Sequence, residues 1–195
     1  KYGKMEPYER DGILQGLAKN PEVLVLGSLS SEWFPEDVWK EVTDRVKGGM
    51  GLVWFGVEKS EPRIVELFAG RTANPDYLMA GPAMDNWLIY GPREVSMMTA
   101  VFGEGRVAGV VTHSNTTSRR YASLIPIYYG GQEEYCFSLL ARMAVWAAKK
   151  DPDILAVVQR DNDGVPALKE YPMQAVLTSR RPAASECRVD FVVRN

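Results

Sequence analysis

The sequence predicts an α/β domain over residues 1–150, followed by a short β-strand segment over 151–195 that belongs to a β-sandwich. Three observations predict it. Two continuous apolar runs, 22–27 (EVLVLG) and 51–57 (GLVWFGV), read as strands buried on both faces, the pattern of a parallel sheet with helices on either side. A well-marked helix lies between them, so strand, helix and strand form a βαβ unit whose crossover should be right-handed. After Asp151-Pro152 the texture changes to short strand-like runs separated by Gly, Pro, Asn and Asp, which is all-β spacing.

The elements follow in order. Residues 6–19 form a short helix: Pro7 suits the first turn, Ile13, Leu14 and Leu17 make one apolar stripe, and Asn20-Pro21 ends it. After the first strand comes a loop, 28–34 (SLSSEWF), and Pro35 starts a helix to Lys47. Val38, Val42 and Val46 recur on one face, acids come early, bases come late, and Gly48-Gly49 stops it. Beyond the second strand, Ile64, Val65, Leu67 and Phe68 form a short apolar piece, and 86–90 (NWLIY) reads as a strand. Residues 96–102 pair with 106–112 across Gly103-Glu104-Gly105. A polar loop with an apolar patch at 124–129 leads to the strongest helix, 133–149, whose face carries Cys136, Leu139, Leu140, Met143, Ala144 and Ala147. The tail offers strands at 154–159, 173–178 and 187–193.

Composition narrows the function. With 195 residues the chain can bury a substantial core without metals or disulfides. A net charge of −2 gives no electrostatic case for nucleic acid. No apolar run approaches the ~20 residues of a membrane span, so no membrane insertion is expected. Two cysteines are too few for a disulfide framework. There is no CxxC, HExxH, Walker A or GxSxG, and a single histidine without ligand spacing argues against zinc. Gly103-x-Gly105 lies between strands, so it is not a dinucleotide fingerprint, and no cofactor is expected.

Three stretches, in order, carry a family resemblance. The first is 23–27 (VLVLG), the helix 35–47, then Gly48-Gly49-Met50-Gly51-Leu52-Val53. The second is Phe102-Gly103-Glu104-Gly105-Arg106-Val107 running into Thr112-His113-Ser114. The third is Leu124-Ile125-Pro126, then Glu134-Tyr135 and the helix ending Val145-Trp146-Ala147-Ala148. Over residues 6–150 the chain resembles the class I glutamine amidotransferase-like superfamily, especially its non-catalytic ThuA-like and β-galactosidase trimerisation-domain branches and the related domains of large bacterial multidomain proteins. The resemblance implies a flavodoxin-like three-layer architecture with helices on both faces of the sheet. The family's usual first strand is missing before residue 1, which implies a trimmed start, and the three or four tail strands make an incomplete sandwich, so the chain is expected to stop inside a second domain of a longer parent protein.

An active glutaminase of this family carries a cysteine on a tight strand-to-helix turn, a histidine base and a glutamate two residues after that histidine. Here the second strand runs into Gly56-Val57-Glu58 with no cysteine, and His113 is followed two residues on by Asn115. The resemblance therefore implies a catalytically inert domain serving binding or assembly. Its partners would be other domains of the parent chain, a second copy, or a small molecule such as a carbohydrate.

The candidate cleft residues are Ser28, Trp33, Val57, Glu58, His113, Asn115 and Arg119, with His113 and Glu58 as acid/base candidates. His113 heads a polar loop at a strand's carboxyl end, where open α/β sheets bind ligands; the plainer alternative is a loop histidine bonded to backbone. Glu58 ends the second strand at the same edge and is able to orient the imidazole, or else to sit solvated. Arg119 and Arg120 suit an anion, or form an ordinary charged surface. Trp33 and Phe34 either stack on a sugar or staple the helix 35–47. With Tyr128 and Tyr129 they would also make an exposed oligomerisation patch. Cys136 lies on an apolar helix face, where a free thiol packs as a small hydrophobe, and Cys187 falls in the β tail.

Overall fold

The computed structural model describes residues 5–27, 29–58, 61–79, 95–112, 133–151, 154–159 and 174–179. The chain divides into two compact units, Lys1–Asp151 and Pro152–Asn195.

The first unit opens with α1 (Pro7–Ala18), where the Glu6 backbone N–H donates to the Glu9 carboxylate at 2.8 Å and closes a capping box. Strand β1 (Val23–Leu26) follows, then α2 (Glu36–Lys47) and β2 (Gly51–Glu58). In α2 the residues Val38, Trp39, Val42, Thr43 and Val46 are buried, while Glu36 and Asp37 sit in the first turn and Arg45 and Lys47 in the last. That distribution of charge complements the helix dipole. Next come α3 (Pro62–Leu67), β3 (Arg71–Thr72) and α4 (Asp76–Met79). The hairpin β4 (Val95–Phe102) and β5 (Gly105–Thr112) precedes the long α5 (Glu133–Ala147).

The five strands form one mixed sheet in the order β1-β2-β5-β4-β3. Strands β1, β2 and β5 are mutually parallel, and β4 is antiparallel to both β5 and β3. The two faces are covered by different helices. Leu52 and Trp54 of β2 join Val107, Ala100 and Met98 in one buried cluster with Leu17, Val38, Val42, Val46, Ile64 and Leu67, so α1, α2 and α3 cover that face. The alternate residues of β2 point the other way. A side chain at Gly51 would lie 2.5 Å from the Ala147 carbonyl oxygen, which places α5 against the Gly51, Val53 and Phe55 face. Helix α5 buries Leu139, Met143, Trp146 and Ala147.

Several expectations need correction. Strand β1 is not buried on both faces: it is the edge strand of the described sheet, and Val25 is 40% exposed. An apolar run signals burial only where neighbouring elements supply it, and β2, flanked on both sides, is the strand buried throughout Gly51–Phe55. The hairpin loop has two residues rather than three, because Phe102 already pairs with Gly105. Gly103 has φ of +63°, as a glycine-first two-residue hairpin turn requires. On α5 the buried face includes Trp146, while Leu140 and Ala144 are only half-buried. The apolar piece 64–68, for which the sequence predicted no secondary structure, lies mostly on α3 (Pro62–Leu67). The expectations at 86–90, 124–129 and 187–193 lie outside the described residues.

In the second unit, β6 (Ile154–Gln159) and β7 (Gln174–Ser179) pair antiparallel from Ile154↔Ser179 to Gln159↔Gln174.

Candidate functional site

Because β1, β2 and β5 are parallel, their carboxyl ends, at Leu26, Glu58 and Thr112, share one edge of the sheet. That edge is where open α/β sheets bind ligands. The pairing of β2 with β5 runs to its last residues, Val57↔Val111 and Glu58↔Thr112. The register shifts between Phe55 and Val57, so Gly56 is an extra residue in β2. Bulges of this kind recur beside active sites, where they re-aim the residues that follow. Here those residues are Val57 and Glu58.

Thr112 is followed in the chain by His113, the only histidine. The backbone thus sets Glu58 directly across from the residue that precedes His113. His113, Asn115, Arg119 and Ser28 themselves lie outside the described residues, as do the side chains of Val57 and Glu58.

The loop after β1 is held against the start of α3. The Ser31 backbone N–H donates to Glu61 Oε2 at 2.7 Å, and the Ser30 hydroxyl donates to Glu61 Oε1 at 3.3 Å. Arg63 reaches back from α3: its Nη1 donates to the carbonyls of Ser31 at 2.6 Å and Phe34 at 2.8 Å, and its Nη2 to Glu36 at 2.8 Å. The guanidinium also lies 5.1 Å from the centre of the Trp39 ring. One carboxylate and one guanidinium therefore satisfy backbone groups of Ser31 and Phe34 and hold the turn after β1 against the start of α3. Sequence reasoning missed both residues. A Glu before Pro62 and an Arg after it carry no signal that links them to a loop some thirty residues earlier.

Trp33 is half-buried, with its ring edge-on to Phe34 at 5.1 Å. Phe34 is only 2% exposed. It precedes the N-cap Pro35 and lies 6.0 Å from Trp39, the fourth residue of α2, which is a hydrophobic staple. Phe34 therefore belongs to the core and contributes nothing to an exposed patch. Its ring and that of Trp39 also meet Trp54 at 6.0 and 5.6 Å. The Trp54 indole Nε1 is buried without a hydrogen-bond partner.

The Asp37 carboxyl is held below its ordinary value chiefly by its hydrogen bond to Arg10, against a smaller opposing effect of burial. Near α4, burial lowers the Arg142 guanidinium, whose Nη1 donates to the Tyr77 carbonyl at 3.1 Å. Among the described residues no group of His, Cys, Asp and Glu side chains is placed to hold a metal ion. No described helix is long and apolar enough to cross a membrane. An open depression of about 390 Å³ lies at the opposite edge, lined by Asn20, Glu22, Arg45, Gly49 and Met50 among others.

Set against known protein families, curated proteins and solved structures, the chain matches none of them.

Proposed function

We propose that this chain is a catalytically inert glutamine amidotransferase-like domain of flavodoxin-like architecture, serving a larger protein by binding at the carboxyl edge of its sheet. One observation carries the reading. Strand β2, where the family's nucleophile would follow, ends in Val57 and Glu58 still paired to β5. No cysteine occurs anywhere between Gly51 and Leu67. Glutaminase chemistry needs a thiolate at that turn, because only the deprotonated sulfur attacks the amide. The chain's two cysteines lie elsewhere, Cys136 within α5 and Cys187 near the last residue.

What remains at the edge suits binding. Glu61 and Arg63 pin the turn after β1, Trp33 offers part of a ring, and the polar loop from His113 to Arg120 follows β5. By fold analogy with the β-galactosidase relatives, the ligand is a carbohydrate or sugar acid. Neutral and acidic monosaccharides titrated into the isotope-labelled full chain should shift amide resonances at Ser31–Phe34, Glu58 and Thr112. Shifts confined to other regions would remove the reading.

A second reading is favoured by the Glu58↔Thr112 pairing: an enzyme that uses Glu58 and His113 as an acid/base pair at the same edge. The lone imidazole gives one resonance to follow with pH. If Glu58 faces it, Glu58→Gln lowers its titration midpoint, since a nearby carboxylate favours the imidazolium. An unchanged midpoint rules out the pair.

A further inference from the structure

Helix α1 is held to the rest of the first unit by little. Among its 12 residues only Leu17 is buried, whereas α2, of the same length, buries Val38, Trp39, Val42, Thr43 and Val46. Ile13 and Leu14 are half-buried, and Tyr8 is 74% exposed. A helix this short is marginal on its own in water, so its stability comes from the face it packs. Two residues weaken it further. Gly12 and Gly16 lie one turn apart on its exposed side, and a β-carbon at either would meet nothing within 4 Å. Neither has a positive φ. No close approach and no special backbone angle requires glycine at these positions, so what the two glycines do is lower the helix's own stability.

The two ends of α1 are fastened differently. Its foot is fixed. Asn20, with φ of +52°, accepts at Oδ1 from Arg45 Nη1 at 2.6 Å, and Arg45 Nε donates to Glu41 at 2.6 Å, so the turn after α1 is tied to α2. The body of the helix, among the described residues, has one polar tie to another element, Arg10 to Asp37 at the start of α2. Both side chains of that pair are exposed, by 41% and 52%, where an ion pair contributes little. We propose that α1 is a hinged strap. Pro7–Ala18 swings off α2 as one unit about the turn at Asn20, while α2 and the sheet stay folded. Opening draws Leu17, 1% exposed when closed, out of the buried cluster that contains Val38, Val42 and Val46, so this apolar surface meets solvent only in the open form.

Amide hydrogen exchange of the isotope-labelled full chain, followed by NMR across a series of low denaturant concentrations, tests it. The hydrogen-bonded amides of α1 should exchange through one shared opening, ~100-fold or more faster than those of α2 and β2 after correction for intrinsic rates, and with a much weaker dependence on denaturant. Gly12→Ala combined with Gly16→Ala should slow that opening about tenfold, since each restores the helix preference that glycine removes. Leu17→Ala, which removes the one buried anchor, should abolish protection in α1 while α2 and β2 remain protected. Three results overturn the proposal. In the first, α1 exchanges with the same denaturant dependence as β2, so that it opens only when the whole unit unfolds. In the second, protection in α1 rises residue by residue from Pro7, which is fraying rather than a shared opening. In the third, the paired glycine substitutions leave α1 exchange unchanged. These readouts use the wild-type chain or substitutions at open positions, so they stand even if Leu17→Ala does not fold; a folded Leu17→Ala that loses protection in α2 and β2 along with α1 also overturns the strap.

Discussion

Asp37 shows how single residues here combine local and tertiary roles. It occupies the first turn of α2, where a negative charge favours the helix dipole, and it accepts from Arg10 of α1, whose Nε lies 2.9 Å from its Oδ2. The pairing lowers its folded-state pKa below the ordinary carboxylate value. A depressed carboxylate contributes stability above its unfolded pKa and loses it as pH falls through the folded one. Unfolding curves of wild type and Asp37→Asn should therefore differ at neutral pH and converge below ~pH 4, where aspartate takes up its proton. The difference should be small and shrink with salt, as for any exposed pair. A gap that persists unchanged into acid would contradict the assignment. Phe34 illustrates what residue type alone leaves open. Its aromatic character fits a sugar platform and a core staple equally, and only its position over Trp39 and Trp54 decides for the core.

At the scale of elements, the parts with strong local signals were legible in the sequence. Helix α2 carries its period, its charge order and its Gly48-Gly49 stop within fourteen residues, and the structure places it at Glu36–Lys47. The β4–β5 hairpin was legible for the same reason, since its strands and turn are contiguous. What the sequence hid was nonlocal. The exposure of β1 depends on which strand lies beside it, and the Glu61 and Arg63 clamp depends on the loop after β1 meeting the start of α3. The hairpin turn is a further case of tertiary constraint. The Glu104 N–H donates to the Lys47 carbonyl at 2.9 Å, and a side chain at Gly105 would meet the Val46 and Met50 carbonyl oxygens at 2.2 and 2.5 Å. Those are backbone atoms of the last turn of α2 and of the residue before β2, and they have little room to give. Gly105→Ala should cost ~3 kcal/mol or more, at the upper end for overpacking. Gly12→Ala, in α1 with nothing within 4 Å, should instead stabilise by ~0.5–1 kcal/mol. Tryptophan fluorescence during denaturation reads both, because all five tryptophans lie before residue 151. Equal effects at the two sites would show that the turn does not pack on α2.

Over the whole molecule, the chain divides into two compact units, Lys1–Asp151 and Pro152–Asn195. The α/β character of the first unit was legible, since strand and helix periods differ and alternate along it. The site was legible only as an edge. Glu58 and Thr112 end paired strands there, and the identity of the ligand depends on chemistry that strand periodicity does not encode. The proposed loss of glutaminase chemistry rests on one position, the end of β2, which reads Val57-Glu58 and carries no thiol. The most direct test is ammonia release from glutamine by the full chain. Release no faster than the uncatalysed background is predicted. Release above background that disappears in Cys136→Ser or His113→Ala would mean that a displaced thiol and the lone imidazole form a working glutaminase, and the inert reading would fall.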